Sequence, residues 1–154
     1  MAAAGAMRVL VALLVIAAAP SVAIGQQRWE RQVQERVQRA ITAVGTSSRL
    51  PVVKRSGMLN TDEAASFQTT LVERTSYAIV AVCDDDCSRL QLTLLTPSGS
   101  EIAKERNSES LPTLHFTPET TTPYGIRVVM EGCRWNPCWY AVAVIPLGKN
   151  APAR

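Results

Sequence analysis

"SYAIVAVCDDDCSRLQLTLLTPSG", residues 76–99, decides the fold class. Its first part, Ser76–Cys83, is apolar on both faces, as an interior strand should be. Its second part alternates: Leu90, Leu92 and Leu94 fall on one face, Arg89, Gln91 and Thr93 on the other. Cys83 and Cys87 enclose Asp84, Asp85 and Asp86, and Pro97-Ser98-Gly99 marks a turn at the far end. The pattern predicts two strands joined by a stapled turn at a hairpin tip.

The same alternation continues outward on both sides. Phe67, Thr69 and Leu71 alternate with Gln68 and Thr70 before this stretch. After it come a short "EIAKE", then "TLHF", in which Leu114 and Phe116 face in and His115 faces out. "YGIRVVM" and "WYAVAVIPL" complete the set. About seven or eight short strands at intervals of roughly 8–12 residues, separated by Pro, Gly, Asn and Asp turns, predict an antiparallel β-sandwich or jelly roll. The predicted class is all-β with an N-terminal amphipathic helix.

That helix is residues 26–44. Trp29, Val33, Val37, Ala40, Ile41 and Val44 form one apolar stripe, Arg, Gln and Glu occupy the other face, and Gly45 is a natural stop. The stripe suits docking on the following domain, a mobile leader, or pairing with a partner; Glu30 and Glu35 dilute the basic face that a membrane surface would attract. Residues 45–56 read as a linker, 57–147 as the sandwich and 148–154 as a flexible tail. Residues 1–25 read as a secretory signal peptide: Arg8, an apolar run from Val9 to Ala19, then Pro20 and small residues. Cleavage after Ala23 or after Gly25 fits equally, and Met7 is an alternative start. The apolar run is shorter than the roughly 20 residues a membrane span needs.

Removing residues 1–25 leaves 15 Lys and Arg against 13 Asp and Glu, interspersed along the chain. A nucleic-acid binder would show a basic stripe interleaved with aromatics, so none is expected. The predicted setting is secreted or periplasmic.

Four cysteines in an exported chain favour disulfides. Cys83 with Cys87, and Cys133 with Cys138, flank loops short enough for the Cα spacing a disulfide needs, so local pairing is predicted. A redox pair is disfavoured, because Asp84–Asp86 oppose thiolate formation. A calcium loop is the alternative, although consecutive aspartates point in different directions and Ca²⁺ wants six to eight oxygens. No cofactor is predicted. The lone His115 faces outward on a strand, and no base stands beside a nucleophile, so no catalytic residues and no enzyme are predicted.

"GML" with Asp62, "YAIVAVCDDDCSRLQLTLLTPSGSEIA", "LPTLHFTPETTTPYGIRVVMEGC" and "NPCWYAVAVI" together resemble the bacterial pre-peptidase C-terminal type of β-sandwich, and more closely its small exported relatives. The resemblance spans roughly residues 56–147 and rests on the order of these motifs. Relatives carry acidic residues between the leucines where this chain has Arg89 and Gln91. The resemblance implies a jelly-roll-like accessory domain without an active site, with binding, targeting or inhibition as its role.

Strand parity places both stapled loops and the Arg106–Leu111 loop, with Asn107 and Glu109, at one end. The candidate binding tip is therefore Asp84, Asp85, Asp86, Arg134 and Trp135, with a protein or glycan as partner. Trp135 either projects from this tip or tucks against its own disulfide. The candidate helix docking face is Trp29, Val33, Val37, Ile41 and Val44. The alternatives are a subunit that docks through the helix, or an inhibitor of a secreted hydrolase.

Overall fold

The computed structural model describes residues 22–44, 51–107 and 111–149. Residues 1–21 of the expected signal peptide, 45–50 of the linker, Glu109 and residues 150–154 of the tail lie outside the described residues. Among the described residues one helix, α1 (Val22–Val44), precedes eight strands: β1 (Val53–Leu59), β2 (Ala64–Leu71), β3 (Thr75–Cys83), β4 (Cys87–Leu95), β5 (Glu101–Asn107), β6 (Thr113–Phe116), β7 (Thr122–Cys133) and β8 (Cys138–Lys149). They form two four-stranded antiparallel sheets. Sheet A has the order β1-β8-β3-β6 and sheet B the order β2-β7-β4-β5. The all-β sandwich with an N-terminal helix is thus the observed architecture.

Leu90, Leu92 and Leu94 of β4 meet Ile79 and Ala81 of β3 and Val142 and Val144 of β8 in the core between the sheets. The other face of β3 and β8, with Val80, Val82, Ala141, Ala143 and Ile145, lies under α1. This second apolar layer explains why "AIVAV" has no polar face: one side faces the sandwich core and the other the helix. Val33, Val37, Ala40 and Ile41 are buried there, with Val44 partly buried beside them. The stripe is therefore covered by the chain's own sheet A and is not an open face for a larger partner. Trp29 stands apart from that cluster, with the Arg28 guanidinium 5.0 Å from its ring centre.

The helical backbone begins at Val22, before the expected Gln26. β1 starts at Val53, inside the expected linker, and pairs with β8 from Val53↔Val144 to Leu59↔Cys138. Its Lys54, Arg55 and Ser56 hid it from a reading based on apolar alternation, because an edge strand needs few buried side chains. β8 likewise runs into the expected tail as far as Lys149, held by its ladder to β3.

The expected hairpin at Asp84–Asp86 is not one. β3 belongs to sheet A and β4 to sheet B, so the turn is an arch that carries the chain from one layer to the other. The β7–β8 loop crosses between the layers too. Of the consecutive strands, only β4 and β5 pair with each other, through the turn Thr96–Ser100. Gly99 sits there with φ of 89°, a conformation glycine adopts without a Cβ penalty.

On sheet B's outer face, Gln91 and Thr93 are only 9% and 3% exposed. Arg106 donates to Gln91 Oε1 at 3.2 Å, and Arg89 and Arg106 share Glu131. Arg106 of β5 thereby joins Gln91 of β4 and Glu131 of β7 across this face. Alternation alone assigned Gln91 and Thr93 correctly to the outer face but left their burial unseen.

Candidate recognition site at the disulfide-stapled end

Cys83 and Cys87 are joined with Cα atoms 5.9 Å apart, and Cys133 and Cys138 with Cα atoms 5.8 Å apart. Each disulfide links sheet A to sheet B, because each pair flanks a loop that changes layers. Packed sheets usually stand about 10 Å apart. The staples draw the two layers together at one end. Cys87 is the cross-strand neighbour of Cys133, so the two staples sit side by side.

The three aspartates of the arch have different fates. Asp84 is 2% exposed. Its Oδ1 accepts from the N–H groups of Asp86 and Cys87, both at 3.2 Å, and its Oδ2 from the N–H of Trp139 at 2.7 Å. The Asp84 N–H in turn donates to the Trp139 carbonyl at 3.1 Å. Burial pushes this carboxyl above its ordinary pKa, against the pull of the three N–H donors. Asp84 is thus an internal brace between β8 and the arch, not part of an exposed tip.

Asp85 is exposed but engaged. The Gln32 amide and the Arg36 guanidinium both donate to its carboxylate, and its own N–H donates to Gln32 Oε1 at 3.1 Å. Arg36 also donates to the Cys83 carbonyl at 2.6 Å. The Gln32 hydrogen bond, followed by the bond and charge of Arg36, holds Asp85 below its ordinary pKa. Asp85 therefore latches the helix to the arch. Asp86 offers its backbone carbonyl to the Arg134 N–H at 2.7 Å, which ties the two stapled loops together.

Asn107, paired with Leu90, brings the end of β5 toward this end as expected, and the β1–β2 turn lies here too. Thr61 N–H donates to Asn136 Oδ1 at 2.9 Å, and the Cys133 N–H donates to Thr61 Oγ1 at 3.2 Å. Three loops are thereby laced into one unit. From that unit Trp135 projects with 72% of its surface exposed, beside an exposed Arg134. It does not tuck against its disulfide. Asn136–Pro137 is a cis peptide bond.

The predicted tip thus divides. Arg134 and Trp135 remain on the surface, Asp84 leaves it and Asp85 is taken by the helix. Gln32, Arg36, Thr61 and Asn136 are additions. Gln32 and Arg36 belong to the helix face read only as polar, and no spacing in the sequence pointed to Asp85. Among the described residues no three His, Cys, Asp or Glu side chains converge as a metal-holding group, and the aspartates of the arch are directed apart. His115 is exposed on β6.

No protein-family model matches the chain, and no curated protein matches it. Among solved structures it is similar to the pre-peptidase C-terminal domain of a collagenase from Bacillus anthracis, at 12% identity and TM-score 0.48, over 60% of this chain and 87% of that one. It is also similar to an Aeromonas hydrophila periplasmic inhibitor of g-type lysozyme, at 10% identity and TM-score 0.43, over 60% of this chain and 84% of that one. A third is the CBM36-1 domain of a multidomain xylanase from the hindgut metagenome of Trinervitermes trinervoides, at 12% identity and TM-score 0.39, over 70% of this chain and 97% of that one. A pre-peptidase C-terminal domain, the type that the sequence motifs resemble, therefore stands among the structural neighbours. Identities of this order carry a likeness of fold at most.

Proposed function

We propose that the protein is an exported, non-catalytic recognition domain that binds a protein or glycan through its stapled end. The observation that carries this reading is Trp135. A large aromatic ring stands in solvent on a loop held by a disulfide, by Thr61 and by the neighbouring arch. Rigid loops spare a binder the entropy of ordering them on contact. Burying an indole ring in a partner stabilises by about 3–5 kcal/mol at the usual area coefficient. Arg134 beside it adds a guanidinium that pairs with carboxylate or stacks on a ring.

A side chain that projects, rather than lining a cleft, suits insertion into a cleft of the partner. That favours inhibition of a secreted hydrolase as the second reading. Two disulfides are consistent with export into an oxidising compartment. The experiment is calorimetric titration of the oxidised protein against envelope glycans and secreted hydrolases, with hydrolase activity recorded in parallel. Binding that Trp135→Ala weakens about thirtyfold or more supports the reading, since a hot-spot residue contributes about 2 kcal/mol. Binding indifferent to Trp135→Ala contradicts it.

A further inference from the structure

The outer edges of the two sheets are unlike one another. β1 carries Lys54 and Arg55 side by side, β5 carries Glu101, Lys104, Glu105 and Arg106, and β6 is four residues long and follows Pro112. Charge, shortness and proline are the devices by which exposed edges avoid pairing with another chain. β2 has none of them. Its sequence, "AASFQTTL", is eight residues without charge, proline or glycine, in unbroken register with β7. Among the described residues no strand pairs with its outer side. Every second residue of an antiparallel edge strand directs its N–H and C=O outward. Phe67, at mid-strand on the inward face, is only partly buried, so apolar surface lies open at the rim.

We propose that β2 is a dimerisation edge, on which a second copy of this chain pairs β2 to β2, antiparallel about a twofold axis. The two B sheets would then form one sheet of eight strands. A twofold contact must be complementary to itself. Directly paired residues share a face, and a register centred on Phe67 meets that condition: Phe67 faces its own copy, Ala65 faces Thr69, Ser66 faces Gln68 and Ala64 faces Thr70. Ring lies against ring at the axis, and hydroxyl meets amide on the outer face, the cross-strand pairs that stabilise sheets. Glu63, next to the strand, falls opposite Leu71 and clear of its own copy. The same operation centred on Ser56 of β1 gives no such match: Arg55 would face Gly57 and Lys54 would face Met58. An extended peptide of another protein would use the same row of backbone groups; the match of the strand to itself singles out a second copy. This edge is separate from the stapled end, and the two proposals stand independently.

The test is sedimentation equilibrium of the full chain with both disulfides closed, alone and with Ser66→Lys and Gln68→Lys combined. These side chains point to the solvent face, and the pair sets ammonium opposite ammonium twice across the axis. A mass twice that of the single chain, with a dissociation constant raised at least tenfold in the double variant and an unchanged near-ultraviolet circular dichroism, is the expected result. Hydrogen exchange of the unaltered protein gives a second readout, in which outward β2 amides gain protection as concentration rises. A single-chain mass at the highest attainable concentration overturns the proposal. So does a dimer indifferent to S66K and Q68K, or one whose β2 amides stay unprotected.

Discussion

The carboxylate of Asp84 loses its water on burial and gains three backbone N–H donors from the arch and from β8. Removing the acceptor strands those donors, so Asp84→Ala is expected to cost about 3 kcal/mol of unfolding free energy in a urea titration. Asp86→Ala should stay within about 0.5 kcal/mol, because that residue acts through its backbone N–H and carbonyl, which the substitution keeps. Burial raises the Asp84 pKa, so the folded state favours its protonated form. Its contribution is therefore greatest below the ordinary aspartate range and declines as pH rises through the window up to the raised value. Three identical residues in a row gave no hint of which would be buried. The choice follows from the arch between sheets, which directs Asp84 inward with its strand and releases Asp85 toward the helix.

At the scale of the element, α1 is held by two unequal forces. Val33 and Val37 are fully buried, and each such valine stabilises by about 1.5–3 kcal/mol. The Arg36–Asp85 pair is partly exposed, and pairs of that kind contribute about 1 kcal/mol or less. Packing therefore holds the helix, and the latch sets where along the sheet it rests. Val37→Asp should release it, seen as loss of hydrogen-exchange protection over residues 33–44 while β3, β7 and β8 stay protected. The latch has a defined pH dependence. Asp85 is held below its ordinary pKa, so its contribution is complete above about pH 4 and is lost as pH falls through the lowered value. Helix protection should weaken over that acid range, and Asp85→Asn should show the weakened state at neutral pH without the acid step. The helix itself was legible, because Trp29 to Val44 repeat at helical spacing; its seat was not. Only the second apolar face of "AIVAV" hinted that another layer covers β3, and the hint fits a neighbouring sheet as well as a helix.

At the scale of the whole molecule, the two sheets enclose a core between them, and two adjacent staples close one end of it. Strand identity was readable from alternation wherever a strand has one wet face, as in β4 and β7. Sheet membership was not readable, since a three-residue turn closes a hairpin or an arch with the same composition; hence the expected hairpin at Cys83–Cys87 is a crossing between layers. Each staple closes a loop so short that it stabilises by about 2 kcal/mol. Cys133→Ser with Cys138→Ser should therefore lower unfolding free energy by about that amount, with the strand ladders intact in hydrogen exchange. Its larger effect should fall on the loop that presents Trp135. That loop is the proposed working surface. The most direct measurement is capture from native envelope and culture fluid by the oxidised protein and by Trp135→Ala, with the thermal melt of each recorded. A partner retained by the first and lost by the second, at equal melting temperatures, is the predicted result. Equal retention by both, or retention by neither, contradicts it.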